Sequence, residues 1–478
     1  MTAFDSAIQL ADMLKARKVS ARELLDECLA RIERIDSDTN ALCWLDAEGA
    51  RAQATAITEP PDEHRPLLGI PMTVKEAYDL AGSPTTWGVG QYADNIAESD
   101  SVAVERLKAA GAIVFGKTNV SVMLADIQSY NSIYGTTNNP WDLTRTPGGS
   151  SGGSGAALAA GLSILEMGSD IGGSIRTPAH YCGVFGHKPT WGLVPSRGHG
   201  LPYMISEPDI AVVGPMARSA FDLEVMLRLL AHPDELHSAI RYELPTLAGR
   251  SLGDLRVAVW SNDEAAPVTR EIAGRVELVA QAFRDAGATV NSEARPVDSF
   301  HSHDVYYRLL YAYIGTGEGT DEALEASRRE AAALAPEDNS ERAVELRAST
   351  MDHRTWLGLN SERDRLRWSW QTFFEDYDLV LAPQTATPAM LHDHRPFADR
   401  TIDVDGAPQP YWQQIFWSGL PGISRLPSTV IPTGTGDAGL PIGVQIIGPA
   451  YGDLVTIQSA QLLEREGFAF KAPPAYAS

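Results

Sequence analysis

Between Thr146 and Arg176 the chain holds two glycine-serine clusters around an alanine-rich segment and an apolar run. The first is Thr146-Pro147-Gly148-Gly149-Ser150-Ser151-Gly152-Gly153-Ser154-Gly155. The second is Gly168-Ser169-Asp170-Ile171-Gly172-Gly173-Ser174-Ile175-Arg176, which places Ser174 24 residues after Ser150. Glycine admits backbone conformations closed to other residues and lets two segments approach closely. A flexible linker would not continue at once into Ser154–Leu162, which reads as a tightly packed helix, and Ile164–Met167, which reads as a strand. A serine among such glycines can be presented to a substrate with its neighbouring amides exposed. Nucleophile, base and oxyanion donors are what breaking an amide bond requires. A third feature is Lys75, which ends the apolar, strand-like stretch Ile70-Pro71-Met72-Thr73-Val74-Lys75.

The rest of the chain alternates helices with strands. Ser20-Ala21-Arg22-Glu23 is a capping box, and Leu25, Cys28, Leu29, Ile32 and Ile35 follow at helical spacing. Strands are expected at Ala41–Leu45, Ala112–Phe115, Arg256–Trp260, Leu379–Leu381 and Ile442–Ile447. Helices are expected at Val102–Ala110, Thr269–Ala286 and Asp453–Glu466. This order predicts an α/β protein with a large central sheet covered by helices. The 478 residues would allow roughly three domains by length alone, but no low-complexity linker or internal repeat divides them. The charged stretch Asp321–Glu345 reads as a solvated helical face. Aromatics concentrate from Met351 to Leu420, and Trp356, Trp412 and Trp417, with Leu124, are candidate walls of an apolar pocket.

Net charge is −23. That argues against nucleic acid or an anionic membrane as partner, since phosphate binding needs a basic surface. The three cysteines, Cys28, Cys43 and Cys182, have neither metal spacing nor a disulfide framework. No secretory leader and no apolar run of transmembrane length is visible, so a soluble cytoplasmic protein is expected.

Two local motifs mislead. Gly111-Ala112-Ile113-Val114-Phe115-Gly116-Lys117-Thr118 fits the P-loop pattern, but a helix precedes it and its interior is an apolar strand, not a phosphate-cradling loop. Gly148-Gly149-Ser150-Ser151-Gly152 fits the nucleophile elbow of hydrolases, which needs a strand running into the serine and a downstream histidine. His187 and His199 could serve, but loop residues precede Ser150. The eleven histidines show no zinc spacing.

Taken together, these segments resemble the amidase signature family. The resemblance rests on Gly148–Thr190, including Cys182-Gly183-Val184-Phe185-Gly186-His187-Lys188-Pro189-Thr190. It extends to Leu68–Glu76, Gly116-Lys117-Thr118-Asn119, Asn139-Pro140-Trp141-Asp142, Gly419–Ser424 and Leu440–Gly448. Only about Ser292–Asp405 lacks a counterpart. The resemblance implies one amidase domain over residues 1–478, with helices on both faces of a mixed sheet and a more variable, aromatic-rich region at about 292–420. It implies Ser174 as nucleophile, Ser150 after a cis peptide as proton relay, and Lys75 as base. It implies an oxyanion hole of the backbone amides of Ile171, Gly172, Gly173 and Ser174, with Asp170 and Arg176 as supports. No metal or organic cofactor is expected, and the partner is a small-molecule amide. A homodimer would be the ordinary assembly. Two departures, Val122 for an acidic or amide residue and His187 for leucine, bear on the pocket rather than the chemistry. The implied activity is hydrolysis of an apolar or aryl amide, anilide or carbamate. The alternatives are the glutamine-hydrolysing subunit of a tRNA-dependent amidotransferase and a catalytically silent scaffold. The intact Lys75, Ser150 and Ser174 set speaks against the last, because the site and not the fold decides function.

Overall fold

The computed structural model describes residues 2–315, 320–338 and 340–477. Strands β1 (Leu42–Leu45), β2 (Pro71–Lys75) and β3 (Ile113–Thr118) form a three-stranded sheet. In it β1 runs antiparallel and β2 parallel to β3. A short pair, β4 (Tyr130–Asn131) and β5 (Gly135–Thr136), lies in the loop that follows. The central sheet draws on β6 (Leu165–Asp170), β7 (Phe185–Lys188), β8 (Val212–Ala217), β9 (Arg256–Val259), β10 (Thr289–Asn291) and β11 (Leu379–Pro383). After a hairpin of β12 (Thr401–Val404) and β13 (Ala407–Pro410), it is completed by β14 (Ser428–Thr435) and β15 (Pro441–Ile447). Its order is β10-β9-β11-β15-β14-β7-β8-β6. The pairs of β9 with β10 and β11 are parallel and the others antiparallel, so the sheet is mixed.

β6, β8, β11 and β15 are buried at every residue. Alternate side chains leave opposite faces of a strand, so such a pattern requires cover on both faces. Helices provide it, among them Gly152–Ala159, Arg176–Cys182, Ala220–Leu230, Arg270–Asp285 and Asp453–Arg465. The Ser20 capping box opens helix Ala21–Thr39, with Glu23 N–H donating to Ser20 Oγ at 3.2 Å and Ser20 N–H to Glu23 Oε2 at 2.8 Å. The charged stretch forms the mostly solvated helices Asp321–Ala333 and Glu341–Ser349. No helix among the described residues is long and apolar enough to cross a membrane.

The two sheets meet where β2 passes β6, and side chains rather than a hydrogen-bond ladder join them. Thr73 N–H donates to Ser163 Oγ at 3.0 Å, Thr73 Oγ1 bonds to the Glu166 carboxyl, and Tyr78 OH donates to the Gly168 carbonyl at 2.6 Å. Burial pushes the Glu166 carboxyl up to about 8, so it is protonated near neutrality and able to donate as well as accept.

Helix Gly152–Ala159 is buried at all eight residues. A β-carbon on Gly153 would lie 2.3 Å from the Asn119 nitrogen and 2.6 Å from its carbonyl oxygen, and backbone atoms cannot move aside. Gly153→Ala is expected to lower stability by about 1–3 kcal/mol through overpacking. Gly274→Ala, in helix Arg270–Asp285 with open space at its β-carbon, is expected to raise it by about 0.5–1 kcal/mol. Chemical denaturation of both variants checks the pair; equal effects would contradict the close-approach argument.

Candidate active site

β2 ends by driving Lys75 into the interior. Its side chain is fully buried, and Nζ lies 2.6 Å from Ser150 Oγ and 2.9 Å from Ser169 Oγ. Burial pushes the ammonium down to about 7, although the Asp170 and Glu76 carboxylates pull it partly back. A lysine that loses its proton near neutrality can act as a base.

Ser150 stands at the turn into helix Gly152–Ala159, and the Gly149–Ser150 peptide is cis. Ser129 Oγ accepts the Gly152 N–H at 2.9 Å and lies 3.1 and 3.2 Å from the Gly148 and Ser150 carbonyls. The second cluster is tied to the first by Ser151 N–H donating to the Ser174 carbonyl at 3.2 Å. Gly173 has φ +109, and a β-carbon there would lie 2.4 Å from Ser418 Oγ. Only glycine fits that turn.

Asp170 organises the second cluster. Its carboxylate accepts the N–H groups of Gly173, Ile175 and Arg176 at 2.9, 3.1 and 3.3 Å, and Arg176 Nε and Nη2 at 3.0 and 2.8 Å. Burial alone would raise its pKa. The Arg176 guanidinium overcomes that and holds it down to about 2. Arg176 Nη2 also donates to the Ser418 carbonyl at 3.0 Å, and Nη1 to Gln445 Oε1 at 3.2 Å, so the pair is fully enclosed.

The expected oxyanion amides divide. Those of Ile171, Gly172 and Ser174 make no hydrogen bond to another protein group among the described residues, and all three residues line the adjoining cavity. The Gly173 amide does not join them: it is spent on Asp170, and Gly173 does not line the cavity. Of the four expected amides, three are thus unpaired beside the cavity and the Gly173 amide is engaged by Asp170.

The cavity has a volume of about 610 Å³ and reaches Ser150, Ser169 and Ser174. Leu124 and Trp412 line it, with Trp87, Met123, Ile127 and Ile415. Trp356 and Trp417, expected in its wall, are not there. Trp417 is fully buried, with Nε1 donating to the Ala266 carbonyl at 3.1 Å and its ring edge-on to Trp260. Trp356 stacks on His353 away from the cavity. Trp370, Tyr411, Phe416 and Trp417 are core, and Phe373, Phe374 and Tyr377 pack against them half-buried, because large rings bury more area against each other than along an open cleft. His187 does not reach the pocket either. Its ring is held in the interior by Thr429 Oγ1 at 2.9 Å and Asp453 Oδ1 at 3.1 Å. Val122 is 44% exposed, while its neighbours Met123 and Leu124 form the wall.

The competing motifs fail on geometry. β3 is a fully buried strand, and Lys117 Nζ donates to the Pro84 carbonyl at 2.5 Å. Residues 138–149 form turns and isolated bridges, so no strand runs into Ser150. His199 lines the cavity, but it packs against Tyr78 and Trp87, and no carboxylate among the described residues bonds to its ring. No group of three or more metal-ligating side chains occurs among the described residues.

Several site residues escaped sequence reasoning. Ser169, the second partner of Lys75, lay within the second cluster but had no mark to separate it from its neighbours. The segment 196–211, which supplies much of the cavity wall, has no regular periodicity. Tyr306 OH, 3.0 Å from the Ile171 carbonyl, comes from the region without resemblance. The Asp170–Arg176 pair gives a direct test. Asp170→Asn leaves a buried guanidinium without its counter-charge, and a loss of about 3–5 kcal/mol of stability is expected. Urea unfolding measures it; a loss under about 1 kcal/mol would mean the pair is not enclosed as described.

Comparison with known proteins identifies the family. A family model described as Amidase matches residues 23–456. A protein of Nitratidesulfovibrio vulgaris (strain DP4) named as a glutamyl-tRNA(Gln) amidotransferase subunit is 32% identical over 497 residues, covering 96% of each chain. A Mycobacterium tuberculosis (strain ATCC 25618 / H37Rv) protein named "Putative amidase AmiB2" is 33% identical over 470 residues, covering 97% of this chain and 96% of that one. Among solved structures, one described as a vestigial protein complex bearing on the origins of an s-triazine catabolic enzyme, with inhibitor bound, is 27% identical. It superposes with a TM-score of 0.81 over 97% of this chain and 99% of that one. On the family match along most of its length, and on relatives more than 30% identical over nearly all of it, this chain belongs to the amidase signature family.

Proposed function

We propose that the protein is an amidase that hydrolyses the C–N bond of a small carboxamide, apolar or aryl amides being favoured and anilides or carbamates within the same chemistry. The observation that carries this reading is the 2.6 Å contact of a buried, readily deprotonated Lys75 with Ser150, at a cavity that Ser174 and unpaired amides line. Neutral Lys75 takes the Ser150 proton as Ser150 takes that of Ser174. Ser174 Oγ forms a bond to the carbonyl carbon, and the carbonyl oxygen gains its charge beside the amides of Ile171, Gly172 and Ser174. Removing one donor from such a hole elsewhere costs about 2.7–4 kcal/mol, so three are a large part of the rate. The proton returns through Ser150 to the nitrogen as the C–N bond breaks and the amine leaves. Water then repeats the sequence on the acyl-enzyme and releases the carboxylate.

The second reading is a glutamine-hydrolysing subunit, favoured by the naming of relatives as amidotransferase subunits. Free glutamine brings an ammonium and a carboxylate that need charged partners. On the cavity wall Asp126 is already engaged by Arg400 and Tyr411, and Asp170 by Arg176. Arg197 and Glu207 lie at the exposed mouth, where solvent weakens them. The apolar amide is therefore the better fit.

Two measurements test the proposal. On a panel of glutamine, a short aliphatic amide, a long-chain amide, an anilide and an aryl carbamate, turnover of the apolar members is expected. Ser174→Ala and Lys75→Ala should each lower it by at least about 10⁴-fold. Turnover of glutamine alone would move the assignment to the amidotransferase, and turnover that survives Ser174→Ala would remove the nucleophile. The second measurement is the pH profile. Lys75 works unprotonated, so raising the pH removes the blocking proton. The ratio kcat/KM should climb roughly tenfold per pH unit on the acid side and level off above about 7. A profile flat down to pH values about two units lower would exclude Lys75 as the base.

A further inference from the structure

The loop carrying Ser150 rests on a floor, Asp126–Ser129, whose anchor comes from the region without family resemblance. A β-carbon on Gly149 would lie 2.6 Å from both the Asp126 carbonyl oxygen and the Gln128 nitrogen, so the two backbones touch. The floor is fixed by the Gln128 side chain, whose Nε2 donates to the Asp393 carbonyl at 2.7 Å and whose Oε1 accepts the Asp393 N–H at 3.0 Å, and by the one carboxylate in it. Asp126 Oδ2 accepts Arg400 Nη1 at 2.8 Å, and Oδ1 accepts Tyr411 OH at 2.5 Å and the Gln128 N–H at 3.3 Å.

Arg400 is itself held on several sides. Nη2 donates to Tyr130 OH at 2.8 Å and Nε to the Arg395 carbonyl at 2.5 Å. The guanidinium carbon lies 4.4 Å from the Phe397 ring centre and 5.0 Å from that of Tyr411. Arg400 is 3% exposed and Asp126 7%. The chain just before it also borders the serine loop directly. Thr146 N–H donates to the Met390 carbonyl at 3.1 Å, His392 N–H to the Thr144 carbonyl at 3.2 Å, and Arg145 Nη1 to the Ala389 carbonyl at 2.7 Å.

The geometry points to Arg400 as a positioning residue: through Asp126 it fixes the floor under Gly149 and Ser150, and with it the alignment of Ser150 Oγ on Lys75 Nζ. This rests on the amidase reading above. Arg400 does not line the cavity, so it acts through Asp126 and not on the substrate. Without the guanidinium, Asp126 is a buried carboxylate lacking its counter-charge. The carboxylate then has every reason to turn toward the cavity that Asp126 already lines, and the floor follows. Small misplacements of reacting groups are costly even when the mutation is remote.

The experiment compares wild type with Arg400→Gln, Arg400→Lys, Asp126→Asn and Ser174→Ala. Three quantities are read: the melting temperature, kcat and KM on the aliphatic and aryl amides of the panel, and the rate at which a fluorophosphonate labels Ser174. Arg400→Gln is expected to lower kcat and the labelling rate about 100-fold, alike on both amides and with little change in KM. Arg400→Lys should recover part of the loss, since an ammonium can hold Asp126 but not Tyr130 as well. If Arg400→Gln does not fold, Arg400→Lys and Asp126→Asn carry the same comparison. A lower melting temperature with wild-type kcat and labelling would make Arg400 a structural strut and overturn the inference. So would a KM increase confined to the aryl amide, which would mean that only the cavity wall had moved. Activity surviving in Ser174→Ala would instead sink the amidase reading, and an inactive Ser174→Ala beside an unimpaired Arg400→Gln would sink the positioning role alone.

Discussion

Everything at this site depends on keeping one amine out of water. Lys75 has no solvent contact, and its nitrogen is met by the hydroxyls of Ser150 and Ser169 rather than by a carboxylate. A carboxylate bonded to it would have stabilised the ammonium and removed the base. The nearby acids are arranged otherwise. Asp170 is bound to Arg176, Glu166 is protonated, and Glu76 accepts the N–H groups of Thr86 and Trp87 at 2.6 and 3.0 Å. The acidic groups around the lysine are thus engaged elsewhere, and the lysine is left with hydroxyls.

That arrangement explains why the site lies at a junction of sheets. β2 brings the lysine from one sheet, and β6 ends at Ser169 and Asp170 in the other. A single continuous ladder would fix the two strands at ladder spacing. Joining them through Thr73, Tyr78 and Glu166 leaves room between the strand ends for Ser150 to enter from the glycine loop.

Much of this was legible in the sequence. The capping box, the buried strand hidden in the false P-loop and the clustered glycines each report a local constraint. Gly173 is required by its own backbone conformation, so its neighbours write the requirement into the chain. Lys75 could be read from the apolar strand it ends. The pocket could not be read in the same way. Trp412 lines the cavity and Trp417 lies in the core, although both sit in one aromatic stretch, because the turn Tyr411–Ile415 runs on into helix Phe416–Ile423 and five helical residues carry the two rings to different faces. The division of the amides was equally hidden. Whether the Gly173 N–H serves a substrate or Asp170 depends on a turn geometry that residue names do not record. Asp126 and Arg400 are 274 residues apart, and neither belongs to a periodic pattern.

The helix of glycines and alanines behind Ser150 has a consequence for how such a protein can change. Gly152–Ala159 is packed on every side, with Gly153 against the backbone at Asn119 and Gly155 against Pro178. At Gly153 and Gly155 the spacing is therefore set by bare backbone thickness, with no side chain at either position to trim and no room to add one. Diversification toward new substrates has to be carried by wall residues that lie off the spacer, chiefly the segment 196–211 together with Trp412 and Ile415.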